Sequence, residues 1–174
     1  MLYQLSYCRI YSAKVRSFSG LCNETLPFFI FYTYLRPPNN THHMAKGNYK
    51  EQNKAFLQRK ATEEGVHQTA QGILYEILQS GEGEKATIRS IVSVYYKGML
   101  ISGDMFDDNT TQGYPDAFRL ADLITGWQIA LTQMRCGDKW RIYVPSEVGY
   151  GATSVVGIPK HSTLIFEIEL VKIS

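Results

Sequence analysis

Residues 163–172, TLIFEIELVK, alternate: Leu164, Phe166, Ile168 and Leu170 fall on one side, with Glu167 and Glu169 on the other. Successive side chains of a strand point to opposite faces, so this run reads as a half-buried antiparallel strand. Working outward, KWRIYV at 139–144 repeats the pattern, with Trp140, Ile142 and Val144 together. Before it stands a run of a different period. Thr125 and Gln128 have the spacing of a capping box, and Ile124 and Ile129 that of a hydrophobic staple. Trp127, Ala130, Leu131 and Met134 share one helical face, and Gly137 marks its stop. One amphipathic helix among alternating strands has to cover a sheet face, which gives an α+β domain.

The same reading continues upstream. Ile73–Leu78 forms a short strand after Gly72, residues 80–85 (SGEGEK) a turn, and Thr87–Tyr96 a long β-rich run. The turn ISGD at 101–104 makes residues 99–106 the tip of a hairpin or a bulged strand. Residues 46–64, KGNYKEQNKAFLQRKATEE, are dominated by good helix formers. Tyr49, Phe56, Leu57 and Ala61 make a narrow apolar stripe, and Gly65 with Val66 resembles a left-handed cap. Such a stripe has to dock on the domain or on a second copy of the helix. The organisation is therefore a helix and linker over 44–71 and a domain over 72–174.

Residues 1–43 have no clear period. They read as a disordered leader or as an over-extended reading frame with Met44 as the true start. The first alternative allows export to the periplasm or beyond, and the second places the product in the cytoplasm. Arg9, Lys14, Arg16 and Arg36 against Glu24 give this stretch a charge of +3. The other 14 basic and 15 acidic groups give −1, so nothing marks a nucleic-acid footprint. The longest apolar run, LPFFIFYTYL at 26–35, is too short to span a membrane. Of Cys8, Cys22 and Cys136 only the last lies in the organised part, so no disulfide framework is indicated. His42, His43, His67 and His161 lack metal-ligand spacing, and the expectation is no metal and no cofactor.

On periodicity alone Trp127 and Phe166 are core residues, and Tyr96 and Tyr150 are ordinary rim tyrosines. The order of motifs changes that reading. VYYKGML (94–100), Phe106-Asp107, FRL (118–120), LITGW (123–127), MRCG (134–137), GYGAT (149–153), GIP (157–159) and STLIFEIEL (162–170) follow one another. Together they resemble the FKBP-type peptidyl-prolyl cis/trans isomerases along residues 72–174. The helix before them is similar to the segment preceding the domain in the macrophage-infectivity-potentiator type of bacterial FKBP, where N-terminal helices dimerise.

The resemblance implies an antiparallel sheet wrapped around one short helix, and an apolar pocket between them. Tyr96, Phe106, Asp107, Ile124, Trp127, Tyr150 and Phe166 match its catalytic positions. The indole of Trp127 would be the floor, and Phe106, Leu123, Ile158 and Phe166 walls. The N–H of Ile124 and the hydroxyl of Tyr150 would bond the bound peptide, and Asp107 would orient Tyr96. Asp116, Val155 and His161 would lie at the substrate rim; Asp116 stands where many members have an aromatic wall. The implied activity is isomerisation of X–Pro bonds during folding. The partners would be proline-containing polypeptides, macrolides such as tacrolimus or rapamycin, and a second copy through residues 46–64. The rival reading is a proline-binding or chaperone module on the same fold without turnover.

Overall fold

A computed structural model describes residues 48–174. The expectations for residues 1–43, including Cys8 and Cys22, lie outside the described residues.

Helix α1, Tyr49–Lys60, opens this part. Strands β1 (His67–Gln68), β2 (Leu74–Gln79), β3 (Ile91–Leu100), β4 (Met105–Asp108) and β5 (Asp116–Arg119) follow. Helix α2 (Thr125–Leu131) precedes β6 (Lys139–Val144) and β7 (Leu164–Ile173). The strands form one seven-stranded sheet in the order β1-β2-β6-β7-β3-β4, with β5 also paired to β3. All pairings are antiparallel. β3 is the organiser: one edge pairs with β7 along its length, while Ile91–Val94 meet β5 and Lys97–Met99 meet β4 on the other. A bulge at Gly98/Met99 precedes the Ile101–Asp104 turn, as the ISGD motif implies.

The alternation at 163–172 holds: Leu164, Ile168 and Leu170 are fully buried and Phe166 nearly so. Trp140, Ile142 and Val144 join them, and α2 closes the face with Trp127, Ala130, Leu131 and Met134. Each such aliphatic side chain contributes about 1.5–3 kcal/mol by leaving water. Gly126 lets α2 lie this close, because a Cβ there would run into the side chain of Val144.

Several local expectations are corrected. The capping box does not form. Ile124 is the N-cap, Thr125 is already inside the first turn, and no side chain caps the helix. Gln128 instead donates its amide Nε2–H to the carbonyls of Leu123 (2.7 Å) and Ala121 (3.1 Å). The staple register moves with the cap, so Ile124 and Ile129 simply pack on the core. The helix stops at Leu131, well before Gly137. The Thr132 hydroxyl bonds back to the carbonyls of Gln128 and Ile129, and Gly137, at φ 93°, belongs to the turn into β6. β3 starts at Ile91 rather than Thr87 because Ser90 N–H bonds Thr87 O and Ser90 Oγ accepts from Thr87 N–H, closing a turn.

α1 is shorter than 46–64, and Gly65 (φ 79°) lies in a turn beyond it. Its stripe also differs. Asn53 is buried while Ala61 is exposed. The helix docks on its own domain: Phe56 meets the Tyr143 ring at 5.9 Å, and the Lys60 ammonium sits 5.3 Å above that ring. Tyr143 is consequently 2 % exposed although it points away from the main core.

Candidate active site

The site is built where β3, β4, β5, α2 and β7 face one another. Tyr96 is inward on β3 and Phe166 inward on the neighbouring β7, where Tyr96 pairs with Ile168 and Phe166 with Gly98. Trp127, on the first turn of α2, projects between them. Its indole stands nearly perpendicular to three rings: Tyr96 (5.2 Å, 84°), Phe166 (5.2 Å, 89°) and Phe118 (6.3 Å, 90°). Phe106 on β4 meets Phe166 edge-on at 5.6 Å and 88°. Edge-to-face contact sets a positive ring edge on a negative face, so the box is held by quadrupoles as well as by burial. Leu123, Ile124, Tyr150 and Val155 pack, partly buried, on the same cluster, and Ile158 is buried within it.

Gly98 makes room for this arrangement. A Cβ there would lie 2.5 and 2.7 Å from the Phe106 ring and 3.0 Å from Phe166. Its place in the VYYKGML motif gave no reason to single it out, since its role is the space it leaves.

The polar side of the site is a single network. The Tyr96 hydroxyl donates to Asp107 Oδ2 at 2.7 Å, the orienting contact expected of Asp107, and Asp108 N–H donates to Asp107 Oδ1. Behind it, Asn109 grips the backbone of Tyr96. Its Oδ1 accepts the Tyr96 N–H at 2.6 Å, its Nδ2 donates to Val94 O, and its own N–H bonds Tyr96 O. Asn109 is 3 % exposed and was missed, because a lone Asn after two aspartates reads as a turn residue. Asp116 closes the network by accepting from Asn109 (3.0 Å) and Gln112 (2.9 Å). Its carboxylate is thus engaged with the loop behind Tyr96.

Burial, and then the charge of Asp107, hold the Tyr96 phenol far above the usual tyrosine range. The proton is retained in the fold while an unfolded tyrosine loses it near pH 10. The folded pKa is the higher one, so this stabilisation is complete below pH 10 and drains away above it, by at most about 1.4 kcal/mol per pH unit. Urea melts at successive pH values above 10 should show a steeper loss for the natural chain than for Tyr96→Phe. Equal slopes would contradict this assignment.

The loop after β6 supplies the remaining candidates. A single 3-10 turn, Ser146–Val148, leads to Tyr150, and Gly151 N–H bonds back to Ser146 O. Val155 and Ile158 pair through both backbone groups, which turns the chain at Val156-Gly157. A Cβ on Gly157 would sit 3.6 Å from that of Phe106, so the loop tip lies against the β4 wall. His161 takes the left-handed conformation (φ 62°) and donates its N–H to Gly151 O. Among the described residues no acceptor pairs with the Ile124 N–H or with the buried indole N–H of Trp127. The arrangement therefore offers an aromatic box with an unspent backbone donor at its edge.

A family model described as FKBP-type peptidyl-prolyl cis-trans isomerase matches residues 82–171. A second, described as the domain amino terminal to FKBP-type peptidyl-prolyl isomerase, matches residues 36–77. Peptidyl-prolyl cis-trans isomerase Mip of Coxiella burnetii is 40% identical over 124 residues, 71% of this chain and 54% of its own length. FKBP-type peptidyl-prolyl cis-trans isomerase FkpA of Escherichia coli K12 is 38% identical over 120 residues, 69% of this chain and 44% of its own. The chain thus spans about half the length of these curated relatives. The crystal structure of FkpA from Escherichia coli superposes with TM-score 0.69 at 37% identity, covering 72% of this chain and 59% of that one. A peptidyl-prolyl cis-trans isomerase from Pseudomonas syringae pv. tomato gives 0.67 at 38%, covering 71% and 92%. The fold is the one the motifs imply.

Proposed function

The chain belongs to the FKBP-type peptidyl-prolyl cis-trans isomerase family, and from that premise we propose that it catalyses rotation about X–Pro peptide bonds in proline-containing polypeptides. The observation that carries this is the box around Trp127: three rings stand nearly perpendicular to its indole and Phe106 meets one of them edge-on, an apolar site for a reaction that requires no nucleophile or proton shuttle.

That chemistry fits the reaction. The barrier of about 20 kcal/mol arises from lost amide resonance. A twisted amide carries less charge on its oxygen than a planar one, so an apolar site favours the twisted form over the ground state. Trp127 floors the proline ring, and Phe106, Leu123, Ile158 and Phe166 hold its sides. With the ring gripped, the acyl side turns, and the Ile124 N–H is placed to hold a carbonyl of the substrate. Stabilisation by about 7 kcal/mol corresponds to a rate gain of about 10⁵. Macrolides would compete for the same box. A homodimer through residues 46–64 would need a face of α1 other than Phe56 and Tyr49, which are engaged within the chain.

Exchange NMR on X–Pro peptides tests the proposal. Spontaneous isomerisation takes about 10–100 s, and micromolar protein should bring cis/trans exchange into the sub-second range. A folded chain that accelerates none of a panel of X–Pro peptides would leave the binding module as the better description.

A further inference from the structure

Thr163 is 1 % exposed, and its N–H lies one residue before the β6–β7 ladder begins at Leu164. A buried backbone donor needs an acceptor. Here it comes from α1: Asn53 Oδ1, 2.6 Å away. Asn53 is itself 3 % exposed, and its Nδ2 donates to Tyr49 O at 2.8 Å, which fixes the orientation of the amide. One turn earlier, Tyr49 Oη lies 2.9 Å from Ser162 Oγ. That Ser162 hydroxyl donates onward to Pro159 O at 2.6 Å, so Tyr49 is the donor in the first bond.

These contacts land on the returning arm of the pocket loop. His161, immediately before Ser162, holds a left-handed backbone that non-glycine residues adopt only when their surroundings impose it. Its N–H ties to Gly151 O, next to Tyr150, and three residues back Ile158 is buried in the pocket cluster. Hydrogen bonds from α1 to Thr163 and Ser162, and one from His161 to Gly151, are joined by the backbone of residues 161–163 and so tie α1 to the base of Tyr150. We propose that Asn53 and Tyr49 are positioning residues for the isomerase pocket: they hold the returning arm of the 150–161 loop so that Tyr150 and Ile158 keep their places. The inference rests on the catalytic reading above for its kinetic consequence, and on geometry alone for its effect on the loop.

The test uses the full chain with Asn53→Ala, Tyr49→Phe or Lys54→Ala. Each is measured by thermal melting, by exchange NMR for kcat and KM on an X–Pro peptide, and by hydrogen exchange at the Gly151 and His161 amides. Below its melting transition, Asn53→Ala should lose about 10-fold in kcat/KM. Its loop amides should exchange about 10-fold faster, while Ala130 and Leu131 in α2 keep their protection. Tyr49→Phe should show the same pattern in smaller degree, and Lys54→Ala, exposed on the same helix, should change neither. The proposal is overturned if Asn53→Ala leaves the loop amides as they were, if Lys54→Ala matches Asn53→Ala, or if all amides accelerate together. A silent Tyr49→Phe removes Tyr49 from it. Should the natural chain show no isomerisation, the catalytic reading falls, and the exchange data still decide whether α1 holds the loop.

Discussion

Asp107→Ala is expected to lower kcat/KM on an X–Pro peptide by about 10- to 150-fold, the equivalent of a charged hydrogen bond worth about 1.5–3 kcal/mol. Asp107 touches Tyr96 through a 2.7 Å bond, and Tyr96 packs edge-on against the Trp127 floor. Removing the carboxylate leaves a largely buried phenol O–H without its acceptor and frees the ring that flanks the floor. Tyr96→Phe should be milder, because it removes donor and unmet need together. In the double variant the two losses should not add, since both act through one bond. Strictly additive losses, or an Asp107→Ala chain at the natural rate, would show that this bond does not serve the pocket.

Phe166→Ala is expected to cost about 3–5 kcal/mol of stability, with a melting temperature about 10 °C lower or more. The ring is 5 % exposed and meets both Trp127 and Phe106 at right angles, so truncation opens a cavity at the meeting point of pocket and core. Phe166→Leu separates the two roles. Leucine keeps much of the volume but loses two edge-to-face pairs, each worth about 0.5–1.5 kcal/mol. The leucine chain should melt only modestly lower yet fall well behind in kcat/KM. If its kcat/KM matches the natural chain, the aromatic character of that wall plays no part in catalysis.

The long strands of the sheet are legible because alternation reports which face is buried, and β7 and β6 bury one face cleanly; β1, inside the stretch read as a linker, and β5 are too short to show a period. The aromatic members of the box were legible only as a set: Trp127 and Phe166 have the spacing of core residues and are core residues as well. What the sequence concealed has three physical causes. Asn53 is a polar residue whose burial is set by a backbone N–H far along the chain, and no local period registers such a debt. Tyr143 falls on the outward face of β6, and only the docking of α1 makes that face interior. The end of α2 was placed late because a threonine hydroxyl competing for carbonyls stops a helix less visibly in sequence than a glycine does. Asn109 was hidden in the same way, since its partner is the backbone of β3 rather than a neighbour in the chain.

Gly98 carries a consequence for how this pocket can vary. Phe106 and Phe166 rest against the bare backbone of β3, so the depth of the box is gauged by an atom that is missing. On the proposed function, changes in size and charge of side chains around the rim would alter which polypeptides enter. A methyl group at position 98 would displace the Phe106 ring and crowd that of Phe166, so one added atom reaches two walls at once. The depth of the proposed pocket is thus set in part by a residue with no side chain of its own.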